Sequence, residues 1–219
     1  MAKEILTKNQ IKILKAIGQE PQLRENFCLT GGTALAAFYL KHRYSEDLDF
    51  FTDQEFDPQD VFVFFKGLKS KLGLKKIDYQ QSFNRNLFFL YLTKEIIKTE
   101  FTYYPFPVLV KGHTFNGVKI DSLLDIAVNK LFTIYQKPRS RDFIDLYFIL
   151  KKADWTVKDL VSKAKIKFDW HVDPLQLGSQ FNQAAKLKDY PRMIKKISHK
   201  NWQDFFIKKA RLLATDILK

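Results

Sequence analysis

The sequence predicts an α+β protein, with a mixed twisted sheet flanked by helices and then a helical C-terminal part. Three observations carry that expectation. Up to about residue 120, strand-length apolar runs bounded by Gly, Pro, Asn and Asp alternate with amphipathic stretches. From Ser122 onward the apolar period is helical throughout. The composition, 219 residues with 46% hydrophobic content, 21 Phe and 9 Tyr, is ample for a packed interior. The predicted division is an α/β core over 1–120 and a helical region over 121–219.

The elements follow in order. Ile5, Ile11, Leu14 and Ile17 recur at helical spacing, which predicts a helix over 4–18, ended by Pro21 and the QLREN segment. Phe27 to Thr30 reads as the first strand. Gly31-Gly32 reads as a turn into a helix starting at Thr33 or Ala34 and running to about Lys41. A charged loop, His42 to Glu46, leads to a second strand with acids at alternate positions, Asp47 and Asp49. Pro58 opens a helix to Leu72 with Gly73 as its stop. Three strands are expected at Lys76–Ser82, Leu87–Thr93 and Ile96–Tyr103, joined by hairpin-length connections at Asn84-Arg85-Asn86 and Lys94-Glu95. Residues 104–117 read as a loop or irregular edge before a short strand, Val118 to Ile120. Helices are then expected at Leu123–Gln136, about Arg141–Lys152 (burying Ile144, Tyr147, Phe148 and Leu150), Val157–Phe168 capped by Thr156, from Pro174, and Trp202–Leu218.

Charge and composition narrow the class. The net charge is +13, and the 16 Lys and Arg against 7 Asp and Glu from Lys151 onward place +9 of it in the last third. Such a concentration favours a polyanionic partner, because Lys and Arg gain affinity by releasing counterions from phosphates. The amino terminus has no apolar core for a signal peptide, and the longest apolar run, Leu87 to Leu92, is too short to span a bilayer. One cysteine, Cys28, fits a reducing cytoplasm and reads as a small buried hydrophobe. The four histidines, His42, His113, His171 and His199, are scattered without ligand spacing and read as surface residues, which argues against zinc. Gly31-Gly32 lacks the downstream GK[ST] of a P-loop and the third glycine of a dinucleotide fold.

The chemistry concentrates in CLTGGTALAAFYLKHRYSEDLDFFT, Cys28 to Thr52. Side chains at i and i+2 of a strand share a face, so Asp47 and Asp49 sit together. Two like charges held side by side repel unless a cation lies between them, and oxygen-only ligands suit Mg²⁺. A Gly-Gly turn opening a helix, through Gly31, Gly32 and Thr33, offers backbone N–H groups and a positive dipole end to phosphate. Singly, each signal is ordinary; their order and spacing, GG then fourteen residues then DxD, is more specific.

That order resembles the first motif of polymerase-β-like nucleotidyltransferases. The fuller string GGTALAAFYLKHRYSEDLDFF is similar to the AbiEii/AbiGii family, the enzymatic toxins of abortive-infection toxin–antitoxin systems. The resemblance implies a nucleotidyltransferase core with two Mg²⁺ ions between Asp47 and Asp49. It implies a third carboxylate from a neighbouring strand, for which Glu100 in KTEF is the best-placed candidate; the alternative is an exposed strand Glu paired with Lys98. Arg43 and Ser45 match the family's HRxSxDLDFF string, so triphosphate contact is expected of both, with loop shaping as the alternative.

A second block, KLFTIYQKPRSRDFIDLYFIL, is similar to the family's second motif. On periodicity alone, Arg141 and Asp145 share a helix face as a surface i,i+4 pair and Lys130 is a snorkelling lysine. The resemblance implies instead that Lys130 contacts nucleotide phosphates, that Asp145 orients that lysine or the acceptor, and that Arg141 and Asp142 support the same site. It covers roughly Phe27 to Leu150. Trp155, Phe168, Trp170, Tyr190, Trp202, Phe205 and Phe206 interleave with the basic tail, where helical spacing reads them as core. The expectation is therefore a cytoplasmic Mg²⁺-dependent nucleotidyltransferase acting from a nucleoside triphosphate on tRNA or another RNA, with a cognate antitoxin and no membrane association. The alternatives are transfer to a protein or a small molecule such as an antibiotic, or a non-catalytic nucleic-acid-binding module.

Overall fold

Pro21 does more than end the first helix. In the computed structural model, which describes residues 5–217, it starts a second one: α1 (Lys8–Gln19) is followed by α2 (Pro21–Asn26), with Pro21 in the first turn, where a missing N–H costs nothing. Thr7 and Gln10 form a reciprocal capping box that sets the start of α1. The predicted end residues Glu4 and Leu218 lie outside the described residues.

The described residues fall into two compact units. The first takes residues up to Tyr39, Ser45–Pro107 and Lys111–Ser122. It holds a seven-stranded sheet built from β1 (Cys28–Thr30), β2 (Leu48–Thr52), β3 (Lys76–Ser82), β4 (Arg85–Tyr91), β5 (Ile96–Tyr103), β6 (His113–Phe115) and β7 (Val118–Ile120). The order is β3-β4-β5-β2-β1-β7-β6, with β2/β5 and β1/β7 parallel and the remaining pairs antiparallel. The fold is the mixed sheet with flanking helices that the sequence predicts. Leu29, Leu48, Phe50, Phe65, Phe88 and Phe101 are fully buried, and Phe50 stacks on Phe101 across β2 and β5 at 4.8 Å. This aromatic core holds the two parallel strands that carry the acids.

Several boundaries differ from the sequence reading. Helix α3 (Gly31–Ala34) begins at the first glycine, two or three residues early, and runs on as a π-helix, Leu35–Leu40. Strand β2 starts at Leu48, so Asp47 immediately precedes it. The Pro58 helix breaks at Leu68 into α4 (Pro58–Gly67) and α5 (Lys69–Leu72), with Gly73 left-handed at the end as expected. Arg85 is the first residue of β4 and not part of the turn, and β6 pairs with β7 inside the stretch read as loop.

The second unit takes Leu40–Tyr44, Val108–Val110 and the chain from Leu123 onward. Its helices are α6 (Leu123–Gln136), α7 (Ser140–Lys152), α8 (Val157–Phe168), α9 (Pro174–Asn182) and α10 (His199–Ile217). Thr156 caps α8 with a capping box. Phe143 stacks on Trp202 at 5.9 Å and meets Phe206 edge-on at 4.8 Å in the interior. The two short excursions join this unit through buried carboxylates. Asp125 accepts the N–H groups of Leu109 and Val110, and Lys167 neutralises it at 2.6 Å. Asp145 holds residues 42 and 43, as described below. Among the described residues no helix is long and apolar enough to cross a membrane.

Candidate functional site

The acid pair lies where β2 begins. Thr30 on β1 stands opposite Asp49, and Asp49 stands in register with Glu100 on β5, so Asp49 is flanked on both sides by named strand positions. Gly31 follows Thr30 with φ +72°, the left-handed region that favours glycine. A Cβ there would meet Asp49 Oδ2 at 2.7 Å. The first glycine is therefore what lets the Asp49 carboxylate lie against the turn. Thr30 offers α3 no side-chain cap.

Thr33 has a different place from the one expected. Because α3 begins two residues early, Thr33 is fully buried, and its hydroxyl donates to the Asp47 backbone carbonyl. Its side chain is spent on positioning the backbone of Asp47. Asp47 keeps a partly exposed carboxylate, with Lys98 Nζ 2.9 Å from Oδ2. Lys98 also reaches Glu100 at 4.0 Å. An ammonium thus already sits where the charge of the acids calls for a cation, which fits this donor set to a hard divalent ion.

Glu100 is not the exposed strand residue of the alternative reading, and Arg85 is a nearer partner to it than Lys98. It is buried, and its carboxylate takes Arg85 Nε and Arg85 Nη2 at 2.6 Å each and the Thr102 hydroxyl at 3.0 Å. Burial pushes its pKa up, but the Arg85 hydrogen bonds and charge, with Thr102 and Lys98, bring the net shift below the usual value. Among the described residues no group of three His, Cys, Asp or Glu side chains converges as a metal site. In this structure Glu100 is held by Arg85, with Lys98 beyond it at 4.0 Å. Sequence reading missed Arg85 because it placed that residue in a turn.

The second cluster lies wholly in the helical unit and centres on Asp145, which is fully buried. Its Oδ1 receives Arg43 Nε at 2.6 Å and lies 2.7 Å from His42 Nε2; its Oδ2 receives Arg43 Nη2 at 2.8 Å and Lys130 Nζ at 2.7 Å. Lys130 also reaches Asp142 at 2.7 Å, and Arg139 closes on the other oxygen of Asp142 at 2.7 Å. Burial raises the Asp145 carboxyl, but Lys130, Arg43 and His42 overcome it and hold the carboxyl well below the usual range. Asp142 behaves alike: burial raises it, and Lys130 and Arg139 lower it further.

Three expectations change here. Arg43 is buried and spent bidentately on Asp145, so it holds the cluster in place of a triphosphate. Arg141 is exposed on α7 and forms no i,i+4 pair with Asp145, because Asp145 points inward and Arg141 out. His42 is no surface residue: it is fully buried, and burial lowers its pKa against the opposing pull of Asp145. Its Nδ1 has no hydrogen-bond partner among the described residues. Its backbone carbonyl accepts from Ile194 and Lys195, and Tyr44 N–H donates to Arg192, which sews residues 42–44 to the chain before α10. The HR dipeptide was visible as a motif; its partner more than 100 residues away was not. Ser45 is half-buried in the loop before Asp47, and Lys130 and Asp145 are brought together as the second motif implied.

A mixed sheet carrying a glycine turn after β1 and an acid pair at the start of the neighbouring strand defines a nucleotidyltransferase-type core. The chain belongs to the AbiEii nucleotidyl transferase toxin family of type IV toxin–antitoxin systems, whose model matches residues 12–215. A protein of Aquifex aeolicus, described only as uncharacterized, is 37% identical over 145 residues. That match covers 65% of this chain and 66% of the other, so the chain spans just under two thirds of the relative's length. Among solved structures, JHP933 from Helicobacter pylori superposes with a TM-score of 0.63 at 23% identity, covering 95% of this chain and 90% of that one. MenT4, a nucleotidyltransferase toxin from Mycobacterium tuberculosis, superposes with a TM-score of 0.60 at 17% identity, covering 94% and 82%. At these identities the likeness concerns the fold.

Proposed function

We propose that this chain moves a nucleotidyl group from a nucleoside triphosphate to an acceptor hydroxyl, the 3′ end of tRNA or another RNA, as a toxin held in check by a separate antitoxin protein. The observation that carries this reading is the Asp47–Asp49 pair, set against a left-handed glycine and neutralised at one end by Lys98. Asp47 and Asp49 would hold Mg²⁺, one ion or two, with phosphate oxygens of the substrate completing the ligand set. Bound there, Mg²⁺ supplies charge neutralisation on the triphosphate and a lower pKa for the attacking hydroxyl.

The chain's own residues do the remaining work. Gly31 admits the carboxylate of Asp49, and Thr33 fixes the backbone of Asp47 through its carbonyl. Gly31, half-buried at the turn, and Gly32, buried behind it, are the proposed backbone contacts for a phosphate. Lys98 balances the acids before a substrate arrives. Lys130 is the proposed phosphate contact of the helical unit: among the described residues its ammonium meets Asp142 and Asp145, which aim it. The +9 charge from Lys151 onward supports a polyanionic acceptor.

The test is direct. Purified protein is incubated with each labelled nucleoside triphosphate, Mg²⁺, and either total tRNA or a protein extract. The expected result is label on RNA with wild type and none with Asp47→Asn or Asp49→Asn at unchanged melting temperature. Label on protein would replace the acceptor, and equal labelling by wild type and variants would overturn the assignment of the acids.

A further inference from the structure

Tyr147 and Phe148, expected in the core, are half-exposed on α7 and line a recess of about 520 Å³ with Lys196, Ile197, Ser198 and Asn201. All six belong to the helical unit. Lysines beside the recess lie over the rings of Tyr147 and Phe148 and of Phe205, which adjoins Tyr147. Lys195 Nζ lies 5.8 Å from the Phe148 centroid, and Lys151 Nζ lies 5.8 Å from Tyr147 and 5.6 Å from Phe205. Lys209 Nζ lies 5.4 Å from the centroid of the same Phe205 ring. Tyr147 and Phe205 meet edge to face at 5.2 Å, so the rings stand at right angles instead of forming one flat wall.

We propose that this recess is a binding site for an unpaired nucleic-acid strand, with bases on Tyr147 and Phe148 and on the adjoining Phe205, and phosphates on the neighbouring lysines. Every base has a π-face, and aromatic platforms beside a basic track are how single strands are held without sequence preference. The ring faces already attract ammonium groups. An entering base takes a ring face, and the displaced lysine turns to the neighbouring phosphate. Charge favours this occupant: Lys195, Lys196, Lys200, Lys208 and Lys209 along the loop and α10 face Asp204 alone among acids of that stretch. The recess is one ring from the charged cluster, since Phe148 lies 5.2 Å from His42. It uses neither the acid pair nor Lys130, so it stands or falls apart from the transfer reaction.

The experiment is fluorescence anisotropy with labelled oligonucleotides about eight nucleotides long, using full-length Asp47→Asn/Asp49→Asn protein without nucleoside triphosphate. Four probes are compared: unpaired RNA, the same sequence as DNA, a fully paired RNA hairpin, and a poly-glutamate peptide of equal charge. The expected result is tight binding of the unpaired strand, with hairpin and peptide at least about tenfold weaker. Binding of RNA and DNA alike, or of RNA alone, supports the site. Lys195→Glu/Lys196→Glu, both on the surface, should weaken binding about tenfold with an unchanged melting temperature. Tyr147→Leu/Phe148→Leu keeps apolar volume and removes the rings, and should do the same. If that variant melts early, the lysine pair decides alone. Equal binding of hairpin or peptide, or lysine variants that bind like the parent, would overturn the proposal.

Discussion

A methyl group on Gly31 would lie 2.7 Å from the Asp49 carboxylate oxygen. Gly31→Ala therefore meets two obstacles, a clash and a left-handed φ of +72°. The backbone strain alone costs about 1–2 kcal/mol, enough to lower the melting temperature by several degrees. Displacing Asp49 should also cut nucleotidyl transfer by about 100-fold. Gly73→Ala is the control: φ is +71° there, but nothing lies within 4 Å of the added Cβ. It should lose comparable stability and keep its activity, which thermal melts and the labelling assay read side by side.

Lys98 makes a different prediction. With its ammonium removed in Lys98→Met, the acids lose the cation 2.9 Å from Asp47 and gain nothing in its place. Added Mg²⁺ should then raise the melting temperature of the variant more than that of wild type. Equal shifts in the two proteins would mean that the lysine does not compete for the acid pair.

Asp145 and Arg141 separate burial from sequence proximity. Asp145→Ala strands Arg43 and Lys130 without their shared carboxylate in the interior and should cost about 3–5 kcal/mol. Arg141→Ala, four residues away on an exposed position, should stay within about 0.5 kcal/mol. Urea denaturation of the two variants checks both. A large loss on removing Arg141 would restore the helix-surface pair that periodicity suggested.

Acid should unfold the protein in two stages. His42 has a folded pKa below its ordinary 6.5, so the unfolded chain takes up the proton first and stability falls as pH drops below about 6.5. Asp142 and Asp145 also have lowered folded values, so their contribution is full above the ordinary 3.8 and disappears as pH falls through the folded pKa values. Melting temperature from pH 8 to pH 3 should be flat, then slope below 6.5, then steepen below 4. His42→Gln should flatten the first slope and leave the second.

Much of the candidate site was legible. The glycine turn and the DxD pair follow from order and spacing, because strand alternation places side chains within a few residues of one another. Lys130 with Asp145 came only with the family resemblance, since helix period alone reads a snorkelling lysine and a surface pair. Arg43, Thr33 and His42 were visible too, but their directions were not. Whether Arg43 points to solvent or to Asp145 depends on a contact 102 positions along the chain. Arg85 and Glu100 were missed as a pair because one residue's shift in a turn moves Arg85 onto β4, opposite Thr102 and within reach of Glu100.

By itself the sequence determined the α+β class, the order of nearly all strands and helices, and an acid pair beside a glycine turn, since these rest on local periodicity and turn chemistry. Only the tertiary structure decided which ionisable groups are paired off. It buried Arg43 and His42 on Asp145, tied Glu100 to Arg85, and left Tyr147 and Phe148 half-open under lysines. The physical reason is that burying a charge requires a partner, and nothing in a residue's near neighbours says which distant carboxylate the fold will bring to it.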